Sequence, residues 1–84
     1  MLKILFMAYA YLFPIDAFTV KSGDSQDPTV YNIGVVPDST MNVQIKTGHH
    51  LQISQRTVFN RADFQTGSFV DHMNTTAVFI LRNQ

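Results

Sequence analysis

"MNVQIK", Met41–Lys46, alternates without error: Met41, Val43 and Ile45 are apolar, and Asn42, Gln44 and Lys46 are polar. A period of two places successive side chains on opposite faces of a strand, so this stretch predicts a strand with one buried face. Working outward, "TGHH" (Thr47–His50) contains Gly48, which can take positive φ, and reads as a hairpin connection. "LQIS" (Leu51–Ser54) then resumes the alternation with Leu51 and Ile53 inward. Upstream, "TVYNIGVV" (Thr29–Val36) places Tyr31, Ile33 and Val35 on one face, with Gly34 marking a bulge. "PDST" (Pro37–Thr40) is turn chemistry.

Downstream, "RTVF" (Arg56–Phe59) either extends the Leu51 strand or begins another. Asn60–Phe69 has weaker patterning and reads as a loop or a helical turn. "TTAVFILR" (Thr75–Arg82) is a continuous apolar run of the kind that suits a strand covered on both faces. A domain this small hardly covers two faces alone. Val78, Phe79, Ile80 and Leu81 are therefore expected to form a strand used in assembly. The expectation is a mainly β fold, a small antiparallel sandwich or barrel of about five strands. No internal repeat or low-complexity tract is visible.

Three regions are expected: an apolar segment over 1–20 (helix or strand), a polar linker over 21–28 ("KSGDSQDP"), and the β domain over 29–84. "MLKILFMAYAYLF" (Met1–Phe13) carries Lys3 ahead of a ten-residue apolar run, and Pro14 ends any helix there. Leu2, Ile4, Leu5, Phe6, Tyr9, Tyr11, Leu12 and Phe13 are the expected anchor or assembly residues. As a membrane span the run is short, and as a secretory signal ending at Ala17 it has a weak basic region and Ile15 at the −3 position. Retention in an assembly or membrane is the first expectation. A signal-type segment is the second, and a core element of the chain itself the third.

At 84 residues without cysteine, the chain has neither a disulfide framework nor a thiolate metal site to reinforce a marginal core. Net charge is zero and only 14% of residues are charged, with no basic footprint for a phosphate backbone, so no nucleic-acid partner is expected. Polarity comes instead from 24 Ser, Thr, Asn and Gln residues, a composition that offers little repulsion against neighbouring chains.

Catalytic signals are missing. There is no GxSxG elbow, HExxH motif or glycine-rich phosphate loop, and no glutamate at all. His49, His50 and the Asp71–His72 pair would form a zinc set only if two loops met, and exposed loop histidines are the expectation. "NTT" (Asn74–Thr76) matches the glycosylation sequon, a short pattern of little weight. The chain is thus expected to be a non-enzymatic, cofactor-free structural component of a larger protein complex. A minor virion protein, capsid-cementing or membrane-associated, is the concrete form. The alternatives are an exported or periplasmic binding module, recognising a ligand through Thr47–His50 and Asn60–Ser68, and an accessory subunit of a membrane complex.

Overall fold

The computed structural model describes residues 14–83. Eight short strands appear: β1 (Ala17–Phe18), β2 (Gly23–Asp24), β3 (Asn42–Ile45), β4 (His50–Ile53), β5 (Thr57–Phe59), β6 (Arg61–Phe64), β7 (Phe69–His72) and β8 (Phe79–Leu81). All five strand pairings are parallel. The sheets run β1-β3-β6, β2-β4-β7 and β5-β8. The second and third passes of the chain each contribute one strand to each sheet in turn, the first pass contributes β1 and β2 to two of them, and successive passes stack as coils of a β-solenoid. This corrects the antiparallel expectation: the fold is mainly β, but its three small sheets are parallel, and the described residues form neither sandwich nor barrel.

The physical reason lies at the corners. Gly48 does adopt positive φ, at 77°, but its turn carries the chain sideways into the next sheet instead of back along the same one. One coil later Gly67 repeats this at φ 80°, packed so that a β-carbon added to it would lie 3.6 Å from the Gly48 nitrogen. The registers Val43↔Ala62 and Leu51↔Val70 share one offset, so Thr66–Gly67 stacks on Thr47–Gly48.

The alternation read from sequence holds in the second coil. Val43, Ile45, Leu51, Ile53 and Phe59 are at most 1% exposed and form the centre of the core. Between Thr29 and Val36 the expected strand gives way to a 3-10 turn, Pro28–Val30, whose proline opens the turn and whose first free amide is taken by Asp27. Val30 and Tyr31 are buried there, whereas Ile33 and Val35 are exposed. Lys21–Pro28, read as a linker, contains β2 and the fully buried Ser25. Asn60–Phe69 carries β6 and the Gly67 corner, and only Phe79–Leu81 of the final apolar run is strand.

Tyr31 fixes the first coil to the core. Its hydroxyl donates to the Ser25 carbonyl at 2.8 Å, and its ring meets Phe59 edge-on at 6.3 Å. Burial pushes the phenol well above its ordinary range, and the nearby charges of Asp24 and Asp27 add to the shift. Where β5 has no strand partner in the first coil, side chains serve: the Ser25 and Thr57 hydroxyls bond at 2.6 Å, and the Gln26 amide donates to Thr57 at 3.2 Å.

Three Asx turns of one design pin the loops. Asp27, Asp38 and Asn74 each accept, through Oδ1, the amide and the hydroxyl of the threonine two residues on. The Thr29 and Thr40 hydroxyls, then their amides, hold Asp27 and Asp38 below the ordinary 3.8. A carboxylate depressed in the folded state contributes stability above its unfolded pKa and loses it as pH falls through the folded value. Replacing both with Asn keeps the acceptors, so urea titrations between pH 5 and pH 2 should show a flatter acid limb in Asp27→Asn/Asp38→Asn than in the wild type. Gly48→Ala should destabilise the fold by about 1 kcal/mol in the same titration at neutral pH, because the strain of positive φ falls on an L residue.

Candidate functional site

Polar and aromatic ladders run across the coils, and both end at the third. The Asn42 amide donates to the Pro14 carbonyl at 2.8 Å, and the Asn60 amide donates to Asn42 Oδ1 at 2.7 Å. Asn83 in turn donates to Asn60 Oδ1. Each side-chain amide thus points its N–H toward the preceding coil, and stacked carboxamides of this kind add bonds that hold parallel strands in register. The aromatic series passes edge-on from Tyr31 to Phe59, from Phe59 to Phe79 at 5.6 Å, and from Phe79 to Phe64 at 6.4 Å. Edge-to-face pairs at these separations contribute beyond their buried area.

The third coil bonds back onto the second. Gln65, Met73 and Arg82 donate their amides to Ile45, Ile53 and Phe59 of the second coil. No described strand pairs with the outer edges of β6, β7 and β8. Core-side positions show the consequence. Ile45 and Ile53 are 0% exposed, whereas their register partners are Phe64, at 39%, and the exposed His72. Val70, Phe79 and Leu81 are only partly buried. Large exposed apolar residues cluster accordingly: Ile15, Val20, Ile33 and Val35 lie in or beside the first coil, and Phe64, Phe69, Met73 and Val78 in the third. The second coil contributes none. Exposed apolar side chains gathered in this way form a surface suited to burial against further chain.

Val78, Phe79, Ile80 and Leu81 fall at this end, with Phe79–Leu81 as β8. The anchor residues Leu2, Ile4, Leu5, Phe6, Tyr9, Tyr11, Leu12 and Phe13 lie outside the described residues. Among the described residues no helix is long and apolar enough to cross a membrane. The histidines are dispersed in role. Thr19 Oγ1 accepts the Lys46 amide and forms a hydrogen bond with His49 Nδ1 at 2.7 Å. His50 stacks on Phe69 with centroids 3.7 Å apart. Among the described residues no three His or Asp side chains gather as a metal site. Of the two expected loops, Thr47–His50 and Asn60–Ser68, the second contains β6, and its Gln65 lies against the first, bonded to Thr47, while Phe69 lies over His50.

The asparagine ladder escaped the sequence reading because its members are unevenly spaced and Asn42 sits at an outward position of an alternating strand. Buried at 7% exposure, it is held by its ladder partners. The comparisons with known proteins add nothing to this geometry: no family model, curated protein or solved structure matches the chain.

Asn60→Ala removes the amide that donates to Asn42 Oδ1 and the carbonyl that accepts from Asn83. It should cost about 1–3 kcal/mol in urea unfolding, the range for leaving a largely buried acceptor without its donor.

Proposed function

We propose that this chain is a non-enzymatic structural component of a larger assembly, attached through the open end of its third coil. The observation that carries the reading is the contrast between matched core-side positions, closed in the second coil and open in the third, as Ile45 and Phe64 illustrate. A terminal coil that stands alone in solution is normally capped by polar residues. Here Phe64, Phe79 and Leu81 occupy that position. Zero net charge and a surface of neutral amides and hydroxyls suit close packing against neighbours, as in a particle shell such as a virion.

Phe64→Glu tests this directly. The side chain is already 39% exposed, so the folded chain should tolerate the change, while a charge in the middle of the attachment surface should abolish association. Light scattering should find the wild-type chain above its 9.5 kDa monomer mass and the variant at that mass. The reading fails if the wild type is a monodisperse monomer whose Gln65, Met73 and Arg82 amides resist hydrogen exchange as strongly as those of the second coil.

A further inference from the structure

We propose that the outer face of the β2-β4-β7 sheet binds a neutral oligosaccharide, with the Phe69 ring as its platform and Gln52 and Asp71 taking its hydroxyls. The inference goes beyond the attachment reading and does not rest on it, because it uses the flank of the solenoid. In β4 the buried residues are Leu51 and Ile53, so His50 and Gln52 project outward. The parallel register sets Phe69 beside His50, and Asp71 beside Gln52, on that same face. His50 holds one side of the Phe69 ring, with centroids 3.7 Å apart, and the ring is 44% exposed. Gln52 is exposed and Asp71 is half-buried.

The β1-β3-β6 sheet carries the same three kinds of group on its outer face, but there they are closed by the chain itself. Lys46 lies 4.8 Å over the Phe18 ring, and the Gln44 amide donates to Asp63 at 2.8 Å. Gln44 and Asp63 are register partners, as Gln52 and Asp71 are. On the second sheet, among the described residues, no cation covers the Phe69 ring, and neither Gln52 nor Asp71 has a side-chain hydrogen bond. A ring, an amide and a carboxylate left open together suit a sugar. The C–H face of a pyranose is attracted to the negative face of an aromatic ring, and its hydroxyls both donate and accept. The amide matches them in both senses and the carboxylate as an acceptor. Asp71 follows Phe69 at two residues, about 7 Å along the strand, and Gln52 lies about 5 Å across, lengths on the scale of one sugar unit. Strands β2, β4 and β7 contain no Lys or Arg, so a phosphorylated or sulfated chain finds no counter-charge there. One ring between polar groups also gives an apolar peptide side chain too little area to bury.

Saturation-transfer NMR of the full chain tests the site, since magnetisation passes from protein to a weakly bound sugar whether the chain is monomeric or assembled. The probes are cellohexaose, maltohexaose and chitohexaose. At least one should receive saturation on its ring C–H protons, with a Kd of about 1 mM. Phe69→Leu keeps apolar bulk without the ring and should weaken that binding about ten-fold. Phe69→Trp keeps a ring and should hold the affinity within about three-fold of the wild type. Gln52→Ala, on the exposed end of the site, should weaken it about five-fold and serves if Phe69→Leu does not fold. Val35→Ala, at an exposed apolar residue of the first coil, should leave it unchanged. No transfer to any probe at about 10 mM overturns the inference. Binding that keeps its strength in Phe69→Leu or in Gln52→Ala overturns it too, as does binding lost in Val35→Ala. None of these outcomes moves the attachment reading, which is tested by mass and by Phe64→Glu.

Discussion

Among the described residues no strand holds its shape alone; each is two to four residues long and lies on the strand of the adjoining coil. The coil-on-coil stack is the constraint from which the rest follows. It buries the inward side chains of the second coil, because that coil has neighbours on both sides. Among the described residues the third coil has the same inward pattern with less burial. Burial is therefore graded along the solenoid axis, and the difference between Ile45 and Phe64 expresses that gradient at a single register position.

Two kinds of contact cross from coil to coil in addition to the backbone bonds. The edge-on series Tyr31–Phe59–Phe79–Phe64 supplies apolar area along the axis of the core. The series Asn42–Asn60–Asn83 supplies directional bonds at one side of it. The first resists separation of the coils and the second resists sliding, because a displaced amide would leave a largely buried carbonyl without its donor. In a chain without disulfides, these two series take the place of covalent bracing.

What the sequence made legible was local. The inward set Val43, Ile45, Leu51 and Ile53 follows from period-two alternation, and the bend at Gly48 from the freedom of glycine. Which strand lies beside which was not legible, since alternation specifies a face and says nothing of the neighbour. Parallel stacking imprints itself as a repeat, and here the imprint shrinks to the dipeptide Thr47–Gly48 and its echo Thr66–Gly67. The positions stacked between them, such as Gln44 with Asp63 and Gln52 with Asp71, share only polarity. In the final apolar run Phe79–Leu81 form a strand and are half-buried, a property of position in the stack and not of composition.

The wide separation of paired strands has a consequence for how the molecule is made. Asn42 pairs with Arg61 and Thr57 with Phe79, so no sheet contact joins residues close in sequence. A chain leaving the ribosome gains nothing from its first strands until a later coil has emerged to lie against them, and closing such long loops slows the search. During that interval the apolar faces of Val43, Ile45 and Leu51 stand open to water, which makes the newborn polypeptide, more than the finished one, the form in need of protection.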